Sequence, residues 1–181
     1  YFNADSDRPL AYRYRDYVIR SFNADRPLDR VVREQIAGDE ISGYRPGKEA
    51  TLEIIDQLTA THFLRNGQDG TGESDGNPDE LRADRYAVLE GAIQIMGASL
   101  FGLTTQCAKC HDHKFEPITQ NEYYQLQAIL FPAFNLDNWV KPQQREVVAG
   151  LREEMAPWEA NEKKVNEEVA RLKADFEAKK Q

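Results

Sequence analysis

Apolar residues recur along this chain at helical spacing, and almost every stretch reads the same way. Tyr14, Val18 and Phe22 fall at i, i+4 and i+8, which predicts a first helix over about 10–22. Leu28, Val31, Val32 and Ile36 share one face of a second, about 27–37, ended by Gly38. Ile55, Leu58 and His62 mark the inner face of a third, about 48–65, and put His62 on its buried side. Leu89, Ile93, Met96 and Leu100 repeat at 4, 3, 4 spacing and predict a fourth over about 78–101. Tyr123, Leu126 and Leu130 face inward from a fifth, about 119–131, with Thr119 as N-cap, Glu122 as its capping-box partner and Pro132 as its stop. No stretch alternates as a strand does, so the fold class is all-α.

Past an aromatic-bearing linker the composition shifts. Residues 143–180 are rich in Glu, Lys and Ala, and Val165, Val169, Leu172 and Phe176 form a short coiled-coil seam. Pro157 is expected to open a new helix there, and Glu146–Met155 is one candidate partner for the seam. The organisation expected is a helical domain over 1–140 and a charged helical extension over 141–181. Residues 2–10 and 22–28 reuse the phrases Phe-Asn-Ala-Asp and Arg-Pro-Leu, which is repeated helix-start chemistry rather than a solenoid.

Composition narrows the partners. The 181 residues carry 40% hydrophobic and 30% charged side chains with a net charge of -8. That balance supports a core and argues against nucleic acid. No run of about 18 apolar residues occurs, so no membrane span is expected. The chain opens at Tyr1 without a visible export signal, and is expected to be a piece of a longer protein whose signal lay upstream.

The chemistry concentrates in Cys107-Ala108-Lys109-Cys110-His111, which holds both cysteines and is followed by Asp112-His113-Lys114-Phe115-Glu116-Pro117-Ile118. C-x-x-C-H is the attachment signature of a c-type haem. Two thiols three residues apart on a helical turn share a face and can both form thioethers to the porphyrin. His111 then follows as the proximal iron ligand. Zinc bound by Cys107, Cys110 and a histidine, in a structural or interaction module, is the alternative, although no second ligand pair follows at finger spacing. A dithiol redox pair lacks its βαβ setting, and a plain disulfide leaves the histidine unexplained.

The longer phrase, continued by Asn121-Glu122-Tyr123-Tyr124, resembles the signature of the planctomycete cytochrome C domain family. Tyr12–Val18, Arg33–Asp39, Ala60–Arg65 and Phe101–Thr104 resemble further blocks of it, in order, over about residues 1–132. The resemblance implies an exported protein with other domains on both sides, and a periplasmic or otherwise extracytoplasmic home. It names a cofactor more firmly than a reaction.

The reading is therefore a small helical bundle around one covalent haem, passing electrons between other domains of its parent protein and a periplasmic redox partner. A peroxidase-type haem enzyme is the alternative, with Asp112, His113 and Lys114 as assisting groups or, more simply, as turn structure and haem-propionate contacts. His62 is the first candidate for the distal iron ligand and Met96 the second. A calcium loop counted from Asp69 through Thr71, Glu73, Asp75 and Asn77 to Glu80 is a further reading. Asn77, Pro78 and Glu80 are equally accounted for as N-cap, first helical residue and capping-box partner.

Overall fold

The structure, a computed structural model, describes residues 10–67, 69, 77–140 and 145–180. It is all-helical over these residues. Six α-helices follow in order: α1 (Ala11–Asn23), α2 (Leu28–Ser42), α3 (Leu52–Ala60), α4 (Pro78–Met96), α5 (Gln120–Phe134) and α6 (Arg152–Lys180). A 3₁₀ turn, Thr61–Arg65, extends α3, and a π-turn, Gly97–Phe101, closes α4. All of the first copy of the reused phrase except Leu10, and calcium-loop positions Thr71, Glu73 and Asp75, lie outside the described residues.

α4 and α5 form the apolar centre. Leu89 and Ile93 are fully buried, Met96 nearly so, and Tyr123, Leu130 and Phe134 meet them from α5. Phe63 and Leu64, from the turn after α3, complete the cluster. The seams expected on these two helices are the seams observed. Thr119 caps α5 as expected: its Oγ1 accepts from the Glu122 amide, and the Glu122 carboxylate accepts from the Thr119 amide. Pro132 does not stop α5. It lies inside the last turn, where its missing N–H leaves the Ala128 carbonyl without the usual intrahelical bond while the helix runs on to Phe134.

α1, α2 and α3 are joined by polar groups instead. Glu34 is buried, and its carboxylate accepts from Tyr17 Oη at 2.8 Å, Arg26 Nη1 at 2.7 Å and Arg30 Nε at 2.8 Å. Arg20 and Arg26 both reach Asp56 on α3, and Arg30 reaches Glu53. Tyr14 donates to Gln35 at 2.6 Å. Burial pushes the Glu34 carboxyl up, but the bonds from Arg30 and Tyr17 and the charge of Arg26 outweigh it, so it stays below its ordinary value. Burial, helped by the bond to Glu34, pushes the Tyr17 phenol up to about 12.

This network moves the inner faces away from the apolar residues. On α1 the buried positions are Tyr17 and Ser21, and Phe22 is exposed. On α2 they are Val31, Glu34, Gln35 and Gly38, while Leu28 is exposed. Gly38 is not the end of α2 either. The helix kinks at Ala37, where φ is -141°, and runs on to Ser42, with Gly43 in the left-handed conformation after it. Gly38 is where α2 crosses α3: a Cβ there would overlap the Gln57 carbonyl.

α6 runs through Pro157 without a break, so the expected new helix is part of one. The proline stands six residues in and costs a single intrahelical bond near the helix start. Val165, Val169, Leu172 and Phe176 are all exposed. Residues 145–150 are not helical, which removes Glu146–Met155 as the seam's partner helix. They touch the body instead, where Tyr44 Oη donates to the Val148 carbonyl at 2.8 Å. Among the described residues no helix is long and apolar enough to cross a membrane.

Candidate cofactor-attachment site

The signature forms a 3₁₀ turn, Gln106–Lys109, with Cys110 as its C-cap and the Cys110 amide bonded to the Cys107 carbonyl at 3.3 Å. In such a turn residues i and i+3 eclipse, so Cys107 and Cys110 share a face. Both are free thiols and both are exposed. Ala108, between them, is fully buried and belongs to the apolar core. The turn thus plugs into the bundle by one methyl group and presents both sulfurs outward.

Its position is held from three sides. The Lys109 carbonyl accepts from Tyr124 Oη at 3.0 Å and Gln120 Nε2 at 3.1 Å, both on α5. Lys109 Nζ pairs with Glu90 on α4 at 2.8 Å, and that bond raises the amine above its ordinary value. Asp112 Oδ1 accepts the Gln120 amide at the start of α5. Upstream, a Cβ on Gly97 would stand 2.6 Å from Thr105 Cγ2, so only glycine lets the strand of chain entering the motif pass this close.

The two histidines of the motif have separate roles. His113 Nδ1 accepts from the amides of Phe115 and Glu116 at 3.2 and 2.8 Å. Its proton is then on Nε2, 3.2 Å from Thr104 Oγ1. His113 is therefore the staple of the loop, the turn-structure role expected for it. His111 is exposed, and its Nδ1 lies 2.7 Å from the Asp112 carbonyl. A carbonyl only accepts, so Nδ1 carries the proton and the Nε2 lone pair is left for a metal. This is the donor arrangement a haem iron or a zinc ion requires. Two outward thiols and an oriented imidazole fit a haem laid against this surface. Among the described residues no three His, Cys, Asp or Glu side chains converge on a point, as a zinc site needs.

The first distal candidate, His62, is not brought to His111. His62 is exposed, not buried, because the chain tightens into the 3₁₀ turn at Thr61 and Phe63 and Leu64 take the interior. It lines a groove with Ala133 and Phe134, at the C-terminal end of α5. The motif docks on the N-terminal end, and fourteen residues of helix are about 21 Å long. Met96 sits in the core as packing.

Asp69, expected to open a calcium loop, is buried and paired with Arg145 at 2.5 Å. Asn77 takes the capping role: its Oδ1 accepts the Asp79 amide at 3.1 Å, with Pro78 at the first helical position. Glu34, Arg65 and Arg145 carry no spacing signal that marks them as functional.

One family model, PSCyt2, described as a protein of unknown function (DUF1549), matches residues 1–133. The chain belongs to the PSCyt2 family. The match spans α1 to the last turn of α5, includes the Cys107–His111 turn and leaves out α6. No curated protein and no solved structure matches the chain.

Proposed function

We propose that this PSCyt2 domain is a c-type cytochrome module that carries one haem on Cys107 and Cys110, with His111 as axial ligand, and transfers electrons within an exported multidomain protein. The observation that carries the reading is the turn itself: two free thiols outward on one face, and an imidazole whose Nε2 lone pair is left for iron by the Asp112 carbonyl. Each thiol S–H would add across a porphyrin vinyl group, forming a thioether with no leaving group. The bound haem supplies a one-electron couple. The protein's part is to hold the turn through Ala108, Lys109 and Asp112 so that the sulfurs and His111 keep their relative places. The planctomycete signature and the extracytoplasmic home belong to the same proposal, because this attachment chemistry takes place outside the cytoplasm. The partners it implies are neighbouring domains and a periplasmic carrier.

The test is the chain produced with a haem-maturation system, read by intact mass and by the absorption spectrum in alkaline pyridine. One added haem mass with a bis-thioether spectrum is expected, and Cys107→Ser with Cys110→Ser removes both. A mass without haem in the wild-type chain overturns the proposal. Carbon monoxide added to the reduced protein separates a six-coordinate transfer haem, which resists it, from an open peroxidase-type iron.

A further inference from the structure

At the far end of α5, two arginines stand together with one acid between them. The Arg65 guanidinium carbon lies 4.3 Å from the centre of the Phe134 ring, and that of Arg145 lies 4.5 Å from the centre of the Trp139 ring. Arg145 Nη1 binds Asp69 at 2.5 Å, and Arg65 Nη2 donates to the Ala133 carbonyl at 3.1 Å. Arg65 Nη1 and Arg145 Nη2 are buried and make no hydrogen bond. Arg13, Arg65 and Arg145 face Asp39, Asp69 and Glu146 around this point, so the charges balance and only the two unpaired N–H donors call for an acceptor. A buried donor without an acceptor is costly, and guanidinium groups are relieved best by an oxyanion that takes two N–H groups at once. Burial, and then the charge of Arg145, pull Arg65 down to about 10, and Asp69 only partly offsets them.

Both arginines line one groove of about 360 Å³. Its other walls include Ile55, Leu58, Leu64 and Val147, which suit an apolar body rather than a hydrated ion. Asp39 and Glu146 are also in the lining, and they disfavour a doubly charged ligand.

We propose that this groove binds a small carboxylate with an apolar tail, its two oxygens bridging Arg65 and Arg145 and its tail lying between Leu58, Leu64 and Val147. Presenting the unpaired N–H groups to a ligand takes a swing of each whole guanidinium about its Cγ–Cδ and Cδ–Nε bonds, in which the ligand's oxygens replace the Ala133 carbonyl on Arg65 and share Arg145 with Asp69. The site lies about 21 Å of helix away from the Cys107–His111 turn and is independent of whether that turn carries haem.

The test is calorimetric titration of the whole chain with sodium hexanoate, with acetate and inorganic phosphate compared at ionic strength matched with sodium chloride. Saturable one-to-one hexanoate binding is expected, with at least ten-fold weaker acetate and no phosphate binding. Arg65→Gln, which removes no ion pair seen among the described residues, abolishes the hexanoate heat while the helical circular dichroism stays unchanged. Should that variant not fold, Arg145→Lys, which keeps a charge beside Asp69 but loses the fork, carries the test with at least ten-fold weaker binding. Arg33→Gln, on the exposed side of α2, leaves binding unchanged. Absent or unsaturable hexanoate binding, phosphate binding as strong as hexanoate, or binding that survives both Arg65→Gln and Arg145→Lys overturns the proposal.

Discussion

Replacing Glu34 with alanine should be among the most damaging single changes in the helical domain. The carboxylate is nearly sealed from solvent and receives three donors, from Tyr17, Arg26 and Arg30. Arg30 is almost half exposed and keeps Glu53, so its loss is small. Arg26 keeps only the longer 3.3 Å contact to Asp56, and the Tyr17 hydroxyl, on a fully buried ring, is left with no acceptor from α2. Removing one partner of such a buried set costs about 3–5 kcal/mol, because the remaining charge and hydroxyl stay desolvated. A domain of this size has about 5–15 kcal/mol in total, so the variant should sit at the edge of folding. Glu34→Gln keeps the shape and an acceptor but not the charge, and should lose about 1–3 kcal/mol. Urea unfolding followed by helical circular dichroism measures both. A loss below about 1 kcal/mol for Glu34→Ala would show that water reaches the network freely and that the polar α1–α2–α3 joint is not a buried one.

The same joint should be pH-sensitive at both ends. Glu34 is held below its ordinary 4.5, so its contribution is present above that pH and is lost as pH falls through the lower folded value, while Tyr17, raised to about 12, contributes fully below 10 and loses it between 10 and about 12. Melting temperatures of wild type and Tyr17→Phe across pH 9–12 check the alkaline arm, which should be smaller in the variant and not abolished, since Tyr14 and Tyr123 are also raised. Gly38→Val should push α2 off α3 and cost about 1–3 kcal/mol or more by the same urea assay, because even a Cβ overlaps the Gln57 carbonyl. Cys107→Ser with Cys110→Ser should change the stability of the haem-free chain by less than about 0.5 kcal/mol, since both thiols are exposed, and both native thiols should react with a maleimide without denaturant.

Where the core is hydrocarbon, the sequence was readable. The 4, 3, 4 spacing of Leu89, Ile93, Met96 and Leu100 marks the buried side of α4, and the Thr119–Glu122 box marks the start of α5. Where helices meet through charge it was not. Counting apolar residues on α1 and α2 selects Phe22 and Leu28, both exposed, because the interior positions are held by Tyr17, Ser21, Glu34 and Gln35. A buried glutamate has the same letter as a surface one; only the three donors around it distinguish them. His62 failed for a different reason. Its place on an apolar face assumed about 100° per residue, and the 3₁₀ turn advances about 120° while Phe63 and Leu64 fill the inside. Of the candidate site, the five residues of the motif stand out in the sequence because they are contiguous and hold both cysteines. The supports from Glu90, Tyr124 and Gln120 are long-range contacts that no local pattern encodes.

Ala108 ties the two sulfurs mechanically to the interior. Its methyl group is packed among buried side chains of α4 and α5, while both neighbouring thiols stay in solvent. A substitution that displaces Ala108 therefore displaces both thiols together, and a pull on either sulfur is passed through one small side chain into the core.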